Sequence, residues 1–258
     1  MTYLEEKFSL QNKVAVVLGG TSGIGQAIGR GYARAGATVI SSSRGQDRVD
    51  VEARELERLG SKTLRIPSDV QDRASLERLC DETVLAFGQV DILVVTSGVL
   101  QKTPSADFPE QDWTRIIDIN LNGTFRANQI FGRQMIKQQR GAIVNTGSLT
   151  SFVAFPEVTA YAASKGAVVM LTRSLACEWA KHNVRVNAIA PGVVRTPLNS
   201  KVLEIPERLA GITARTPMAR VGQVEELVGA AIFLASDAAS FVTGETIAVD
   251  GGFLAKGI

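Results

Sequence analysis

Tyr161 and Lys165 stand four residues apart, and their side chains suit proton transfer. On a helix, residues i and i+4 lie on the same face, so the phenol and the ammonium would be neighbours. A free tyrosine has a pKa of about 10, which a nearby positive charge lowers by stabilising the phenolate. Such a phenol could exchange a proton with a carbonyl oxygen near neutral pH. An ordinary exposed helical pair would show the same spacing.

Two further polar residues favour a reacting centre over an exposed pair. Ser148 ends the apolar run at 141–148, thirteen residues before Tyr161, and its hydroxyl could bond the same substrate oxygen. Asn120 lies in the helical segment IDINLNGTF, which could reach the same region. The four side chains together predict an acid–base site: Asn120, Ser148, Tyr161 and Lys165.

A glycine-rich turn, GGTSGIG, directly follows the first apolar run. Its glycines allow a tight turn and close approach of the backbone to a pyrophosphate, and the next helix would present free N–H groups to that anion. A simple strand-to-helix connection is the alternative interpretation. The predicted contacts are Gly19, Thr21, Ser22, Gly23, Ile24 and Gly25.

The end of the second strand carries Ser43 and Arg44 and no acidic residue. A carboxylate there would bond the ribose 2′-hydroxyl of NAD, whereas an arginine would accommodate the 2′-phosphate of NADP. Guanidinium suits phosphate through its charge and its planar fork of donors. The sequence therefore favours NADP(H) over NAD(H), with a solvated loop arginine as the alternative.

Short apolar runs that alternate with amphipathic segments would position these residues. Continuous apolar strands separated by long helices indicate a parallel sheet covered on both faces. We predict one α/β domain over residues 1–258, a doubly wound (Rossmann) sheet of about seven strands with helices on both faces. The stretch 197–217, bounded by prolines, is predicted to form a lid on the substrate side. The predicted strands are 13–18, 37–43, 63–66, 91–95, 141–146, 184–190 and 247–252.

The composition argues against several other classes of protein. Lys and Arg number 28 against 26 Asp and Glu, in mixed order, so no basic block predicts nucleic acid or a membrane surface as partner. Two cysteines and one histidine predict neither a disulfide framework nor a metal site. The charged opening segment and the lack of any long apolar run lead us to expect a cytoplasmic protein.

In its ordered motifs the sequence resembles the short-chain dehydrogenase/reductase family, in its compact form of about 250 residues, over about residues 10–252. The resemblance implies that Tyr161 is the general acid/base and that Ser148 orients and polarises the substrate carbonyl. Lys165 would lower the pKa of the tyrosine and hold the nicotinamide ribose. Asn120 would hold a water in a proton relay with the lysine. The family transfers hydride between the nicotinamide and a carbon that bears a hydroxyl or keto group.

The resemblance also implies further cofactor contacts. Asp69 would meet the adenine amine, and Val70 would lie beside the adenine ring. Ser97 and Gly98 follow the strand at 91–95, where the family's N-N-A-G motif lies. The segment after the strand at 184–190 would line the nicotinamide amide through Pro191, Gly192, Val194 and Thr196.

Two positions depart from the family pattern. Leu18 replaces the threonine that usually precedes the first glycine. The N-N-A-G motif reads Val95, Thr96, Ser97 and Gly98. Because those asparagines mainly tie the strand end to neighbouring backbone, Thr96 is expected to replace them in part. A dinucleotide-binding sensor that has lost turnover is the remote alternative to an enzyme.

The substrate pocket is expected to involve Leu100, Gln101, the apolar loop 149–157 and the lid. Arg195, Asn199 and Lys201 could meet a carboxylate or hydroxyl groups, or lie in solvent.

The C-terminal segment 215–255 resembles both gluconate 5-dehydrogenases, with related sugar-acid and polyol dehydrogenases, and 3-oxoacyl-(acyl carrier protein) reductases. We favour a small sugar acid or polyol as the alcohol or ketone substrate, with a β-ketoacyl thioester as the alternative. Family resemblance alone predicts a homotetramer in which the long helices after the strands at 91–95 and 141–146 pair across two-fold axes.

Overall fold

Six parallel strands form one sheet in the computed structural model, which describes residues 2–197 and 199–256, without the side chains of Lys201 and Val202. Their order across the sheet is β2-β1-β3-β4-β5-β6. The strands are β1 (Val14–Leu18), β2 (Thr38–Ser42), β3 (Ile92–Val95), β4 (Gly141–Thr146), β5 (Val184–Pro191) and β6 (Thr246–Val249).

Helices cover both faces of this sheet. Ten α-helices are described: α1 (Tyr3–Phe8), α2 (Gly23–Arg34), α3 (Gln46–Arg58), α4 (Arg73–Phe87), α5 (Glu110–Ile117), α6 (Gly123–Gln138), α7 (Thr159–Trp179), α8 (Ser200–Leu203), α9 (Pro206–Arg215) and α10 (Val228–Ala235). A π-helical turn, Asp118–Asn122, joins α5 to α6.

Alternate residues of the strands enter two separate cores, which explains why the strands read as continuous apolar runs. Val16 of β1 packs in the core beneath α4, α6 and α7, and its neighbour Val17 packs in the core beneath α2, α3 and α10. All five residues of β1 are buried. A strand buried on both faces needs apolar side chains at every position. The predicted doubly wound α/β architecture is confirmed.

The predicted count of about seven strands is wrong, because the stretch 63–66 forms no strand. Ile66 does pack in the core, but its carbonyl oxygen accepts a hydrogen bond from the Ser42 hydroxyl at 2.6 Å. Pro67, which follows, has no N–H to donate. Beside β2, isolated backbone bonds from the Val39 N–H to the Lys62 carbonyl and from the Ser68 N–H to the Ser43 carbonyl are supplemented by serine hydroxyls, so no regular ladder forms and β2 is the sheet edge.

The stretch 197–217, predicted to be a lid, contains the short helices α8 and α9. No residue of α9 is buried. Leu198 lies outside the described residues, as do Met1, Gly257 and Ile258 of the single domain predicted over 1–258. Closure over a substrate stays a prediction.

No helix in the described ranges is long and apolar enough to cross a bilayer. In the same part of the chain, no three His, Cys, Asp or Glu side chains group closely enough to hold a metal ion. The cytoplasmic location stays a prediction from the sequence.

Candidate active site

A cleft of about 880 Å³ opens where β1, β2 and β3 end. Gly19 follows β1, Ser43 follows β2 and Thr96 follows β3, and all three line the cleft. Because β1 lies between β2 and β3, the direction of the crossovers reverses here, which is where open α/β sheets bind ligands. Of the predicted cofactor contacts, the cleft brings together Gly19, Thr21, Ser22, Gly23, Ile24, Gly25, Ser43, Arg44, Asp69, Val70, Ser97, Gly98 and Thr196.

The glycine-rich turn has the shape that an anion requires. Gly19 and Gly23 have φ values of +79° and +53°, in the left-handed region that favours glycine. A Cβ on Gly25 would overlap the Gly19 carbonyl oxygen. Ser22, which precedes α2, makes no side-chain cap bond, so the first N–H groups of the helix are available to a ligand. The turn fits a pyrophosphate.

Hydroxyl and guanidinium groups surround the end of the cleft that lies next to the end of β2. The Thr21 hydroxyl donates to Ser43 Oγ at 2.8 Å. Arg44 and Arg48 both line this end, and both are exposed. Sequence reasoning missed Arg48, although an arginine in the first turn of the helix after β2 was a usable signal.

Thr96 ties the end of β3 to the end of β1. This is the role expected for a threonine that replaces the asparagine of the family motif. Its backbone N–H and its hydroxyl both donate to the Leu18 carbonyl oxygen, at 2.9 and 2.8 Å. The threonine therefore crosses from one strand to the next, the role expected of the asparagine it replaces. Ser97 and Gly98 follow directly and line the cleft.

Lys165 is a buried ammonium on α7. Its Nζ donates to the Thr146 carbonyl oxygen at 2.7 Å and lies 5.8 Å from the centroid of the Tyr161 ring. Burial lowers the pKa of Lys165 to about 8. In the described part of the chain it forms no ion pair with a carboxylate. The tyrosine–lysine adjacency predicted from the spacing is therefore present, in a buried setting.

Tyr161 has a raised pKa, because burial disfavours the phenolate more than the hydrogen bond from Ser148 favours it. Desolvation dominates here, and the Lys165 ammonium is directed to the Thr146 carbonyl. Lowering of the Tyr161 pKa by Lys165 stays a prediction for the complex with the nucleotide. The phenol is therefore protonated at neutral pH, ready to act as an acid.

Asn120 is fully buried in the π-helical turn, and its side chain holds the loop that leads into the cleft. Its Nδ2 donates to the Val99 carbonyl at 2.9 Å and to Ser164 Oγ at 3.1 Å, and its Oδ1 accepts from the Val99 N–H at 2.8 Å. A Cβ on Gly98 would lie 3.4 Å from Asn120 Oδ1 and 3.7 Å from Lys165 Nζ. The acid–base cluster thus adjoins the cleft at Gly98.

Three of the contacts predicted for the nicotinamide amide lie outside the lining of this cleft. Pro191 ends β5, and the buried Val194 pairs with Gly222. Gly192 lines a second cavity of about 370 Å³ beside Asp250. Their contact with the cofactor stays a prediction.

The polar groups expected in the substrate pocket are mostly engaged elsewhere. Gln101 donates to Asp112 at 2.6 Å and accepts from Arg115 at 2.7 Å. The Asn199 amide bonds the backbone of Thr196 and Val194. Arg195 is exposed, and the side chain of Lys201 lies outside the described residues. Phe155 of the apolar loop packs on Phe253, with ring centroids 5.8 Å apart.

Known proteins resemble the chain over nearly its full length. A family model described as enoyl-(acyl carrier protein) reductase matches residues 19–254. A 2-dehydro-3-deoxy-D-gluconate 5-dehydrogenase from Pseudoalteromonas atlantica is 41% identical, over 97% of this chain and 99% of that protein. A 3-oxoacyl-[acyl-carrier-protein] reductase from Thermotoga maritima is 37% identical, over 95% and 99%. The crystal structure of a gluconate 5-dehydrogenase from Burkholderia cenocepacia, in complex with NADP and tartrate, superposes with a TM-score of 0.96 at 36% identity, over 99% and 100%.

Proposed function

This chain belongs to the short-chain dehydrogenase/reductase family, and from that premise we propose that it is an NADP(H)-dependent oxidoreductase acting on a secondary alcohol or ketone. The proposal rests on the contact at Gly98 between the cleft and the acid–base cluster. There a cleft shaped for a dinucleotide adjoins Asn120 and Lys165 of the acid–base cluster. Neither feature alone would distinguish an enzyme from a nucleotide-binding protein.

NADP(H) is the cofactor that fits the lining of the cleft. The turn from Gly19 to Gly25 offers N–H groups to the pyrophosphate, and Arg44 offers a cation at the opposite end. The Burkholderia relative was solved with NADP. When bound, the nicotinamide would supply or accept the hydride.

In the proposed mechanism, the protein aligns the substrate and moves the proton. The Ser148 hydroxyl holds the substrate oxygen, and Tyr161 protonates that oxygen during reduction or takes its proton during oxidation. The raised pKa of Tyr161 keeps the proton in place for reduction. Lys165, with a pKa of about 8, is mostly charged at neutral pH and stabilises negative charge on the phenol oxygen as the proton leaves.

A sugar acid or polyol is the substrate class that we propose. The support is the similarity to the Pseudoalteromonas 2-dehydro-3-deoxy-D-gluconate 5-dehydrogenase and the Burkholderia gluconate 5-dehydrogenase. A β-ketoacyl thioester is the second candidate. It is favoured by the similarity to the Thermotoga reductase and by Phe152, an apolar side chain 46% exposed in the loop after Ser148. We further propose a homotetrameric, cytoplasmic enzyme.

The test is Tyr161→Phe assayed with NADPH against 5-keto-gluconate, other keto-sugars, acetoacetyl thioester and simple cyclic ketones. Loss of the phenol proton should lower kcat by about 10²–10⁴-fold, while NADPH still binds. Tyr3→Phe is the matched control, because Tyr3 is exposed on α1 and does not line the cleft.

Each outcome separates the candidates. Turnover of a keto-sugar that depends on Tyr161 supports the proposal, and turnover of the thioester alone selects the second candidate. NADPH binding by the unmodified protein without turnover of any substrate would favour the sensor.

A further inference from the structure

A second serine, Ser151, stands three residues after Ser148 and ends the 3₁₀ turn Leu149–Ser151. Its hydroxyl oxygen accepts a hydrogen bond from the Ser148 N–H at 3.2 Å. The same hydroxyl donates to the Lys165 carbonyl oxygen at 2.8 Å. One side chain therefore joins the backbone of Ser148 to helix α7, which carries both Tyr161 and Lys165.

The backbone at Ser148 lies just beyond the sheet. Strand β4 ends at Thr146, and the Gly147 N–H still donates to the Ile189 carbonyl of β5 at 2.8 Å. The next N–H along the chain, that of Ser148, donates to the Ser151 side chain instead. Ser151 therefore holds the backbone at the residue whose hydroxyl is to meet the substrate.

The side chain of Ser148 is held against α7 as well. Its hydroxyl forms a hydrogen bond with Tyr161 and accepts from the Thr150 N–H at 3.2 Å, within the turn that Ser151 ends. Tyr161 and the Lys165 carbonyl are four residues apart on one helix, and a helix keeps such positions at a fixed spacing. The two contacts together set the Ser148 hydroxyl relative to the phenol.

We propose that Ser151 is a positioning residue, whose hydroxyl fixes the Ser148 hydroxyl against Tyr161 and the substrate oxygen. The inference rests on the oxidoreductase function proposed above. A hydroxyl that stabilises developing charge acts strongly only when it is preorganised, and a small displacement of a reacting group lowers the rate steeply. Ser151 does not line the cofactor cleft, so its effect reaches the reaction through Ser148.

The experiment compares Ser151→Ala with the unmodified protein, using NADPH and the ketone of the panel above that the unmodified protein reduces fastest. Loss of the two hydrogen bonds should lower kcat about tenfold, because the contact from Ser148 is strongest in the transition state. The dissociation constant of NADPH should stay unchanged. Ser151→Cys keeps the side-chain shape but bonds only weakly through sulfur, so it should lower kcat in the same way and serves if Ser151→Ala folds poorly.

Ser61→Ala is the matched control. The buried Ser61 hydroxyl accepts from the Val39 N–H at 3.0 Å and donates to the Ala37 carbonyl at 2.9 Å, so it makes the same kind of contacts outside the cleft lining. Its loss should shift the denaturant midpoint of unfolding by a similar amount and leave kcat unchanged. An equal fall in kcat for Ser61→Ala and Ser151→Ala would mean that general loosening lowers the rate, and would overturn the inference.

A double-mutant cycle with Ser148→Ala tests the route of the effect. If Ser151 acts through Ser148, Ser151→Ala should cause no further loss of kcat once the Ser148 hydroxyl is gone. Two losses that multiply, or full activity of Ser151→Ala, overturn this inference while the proposed function stands. An unmodified protein that reduces no ketone of the panel would overturn the proposed function, and this inference with it.

Discussion

Among single residues, Lys165 lies in the predicted acid–base site and, when charged, lowers the free energy of unfolding because it is buried. Burial lowers its pKa from 10.5 to about 8, which corresponds to about 3 kcal/mol of unfavourable burial when it is charged. Below about pH 8 both the folded and the unfolded chain hold the proton, so the cost is present in full. Between about 8 and 10.5 the unfolded chain keeps a proton that the folded chain has lost, so this group makes the free energy of unfolding rise with pH.

Lys165→Met should abolish this contribution, because methionine fills a similar volume and does not titrate. The free energies of unfolding of the two proteins are measured in urea at about pH 7 and about pH 10. Relative to the variant, the unmodified protein should be more stable at the higher pH by about 2–3 kcal/mol than it is at the lower pH. Lys137→Met is the control, since Lys137 is exposed on α6. A difference that does not change with pH would mean that Lys165 titrates normally.

The pairing of Tyr161 with Lys165 could be predicted, but its electrostatics could not. The spacing of four residues places both side chains on one face of a helix, and α7 does contain both. The direction of each pKa shift depends on burial, which is set by residues distant in sequence, such as Thr146 at the end of β4. For that reason the net rise in the Tyr161 pKa could not be predicted from the spacing.

At the scale of elements, the tie from Thr96 to Leu18 joins two strands whose ends border the cleft. Thr96→Val removes the hydroxyl that donates to the Leu18 carbonyl at 2.8 Å and keeps the side-chain shape. It should lower the free energy of unfolding by about 1 kcal/mol and weaken NADPH, because Gly19 follows Leu18 directly. Denaturant unfolding and NADPH titration measure the two effects.

Thr83→Val supplies a matched comparison. The Thr83 hydroxyl is buried and donates to the Leu79 carbonyl within α4, away from the cleft. Thr83→Val should lower the free energy of unfolding by a similar amount without changing the affinity for NADPH. If both variants weaken NADPH equally, the Thr96 tie has no special effect on the cofactor site.

Apolar runs predicted the strands well where a regular ladder forms, and failed where the hydrogen bonds to the neighbouring strand are isolated. The run at 184–190 became β5, whereas 63–66 packs in the core without strand hydrogen bonds. The π-helical turn around Asn120 was beyond prediction, because helical periodicity does not reveal a single changed hydrogen-bond register. Burial of Glu52 was equally hidden, since it depends on Arg30 in another helix.

At the scale of the whole molecule, the order of the strands determines where chemistry is possible. Because every strand in the described chain is parallel, all of their carboxyl ends meet one edge of the sheet. Thr96, Thr146 and Ser148 reach that edge from β3 and β4, and α7 adds Tyr161 and Lys165 beside them. Groups far apart in sequence therefore converge beside the cleft without any dedicated domain.

The predicted homotetramer has a physical test in the helices that cover the sheet. Phe125 on α6 and Met170 on α7 are 41% and 57% exposed, and such apolar groups on long helices suit pairing across two-fold axes. Light scattering should give four times the chain mass, and Phe125→Lys with Met170→Lys should give a smaller species, because burying unpaired ammonium groups is costly. Leu85→Lys, at an 88% exposed position on α4, should leave the mass unchanged. A monomer mass for the unmodified protein would contradict the tetramer, and a tetramer that tolerates both lysines would place its interfaces elsewhere on the surface.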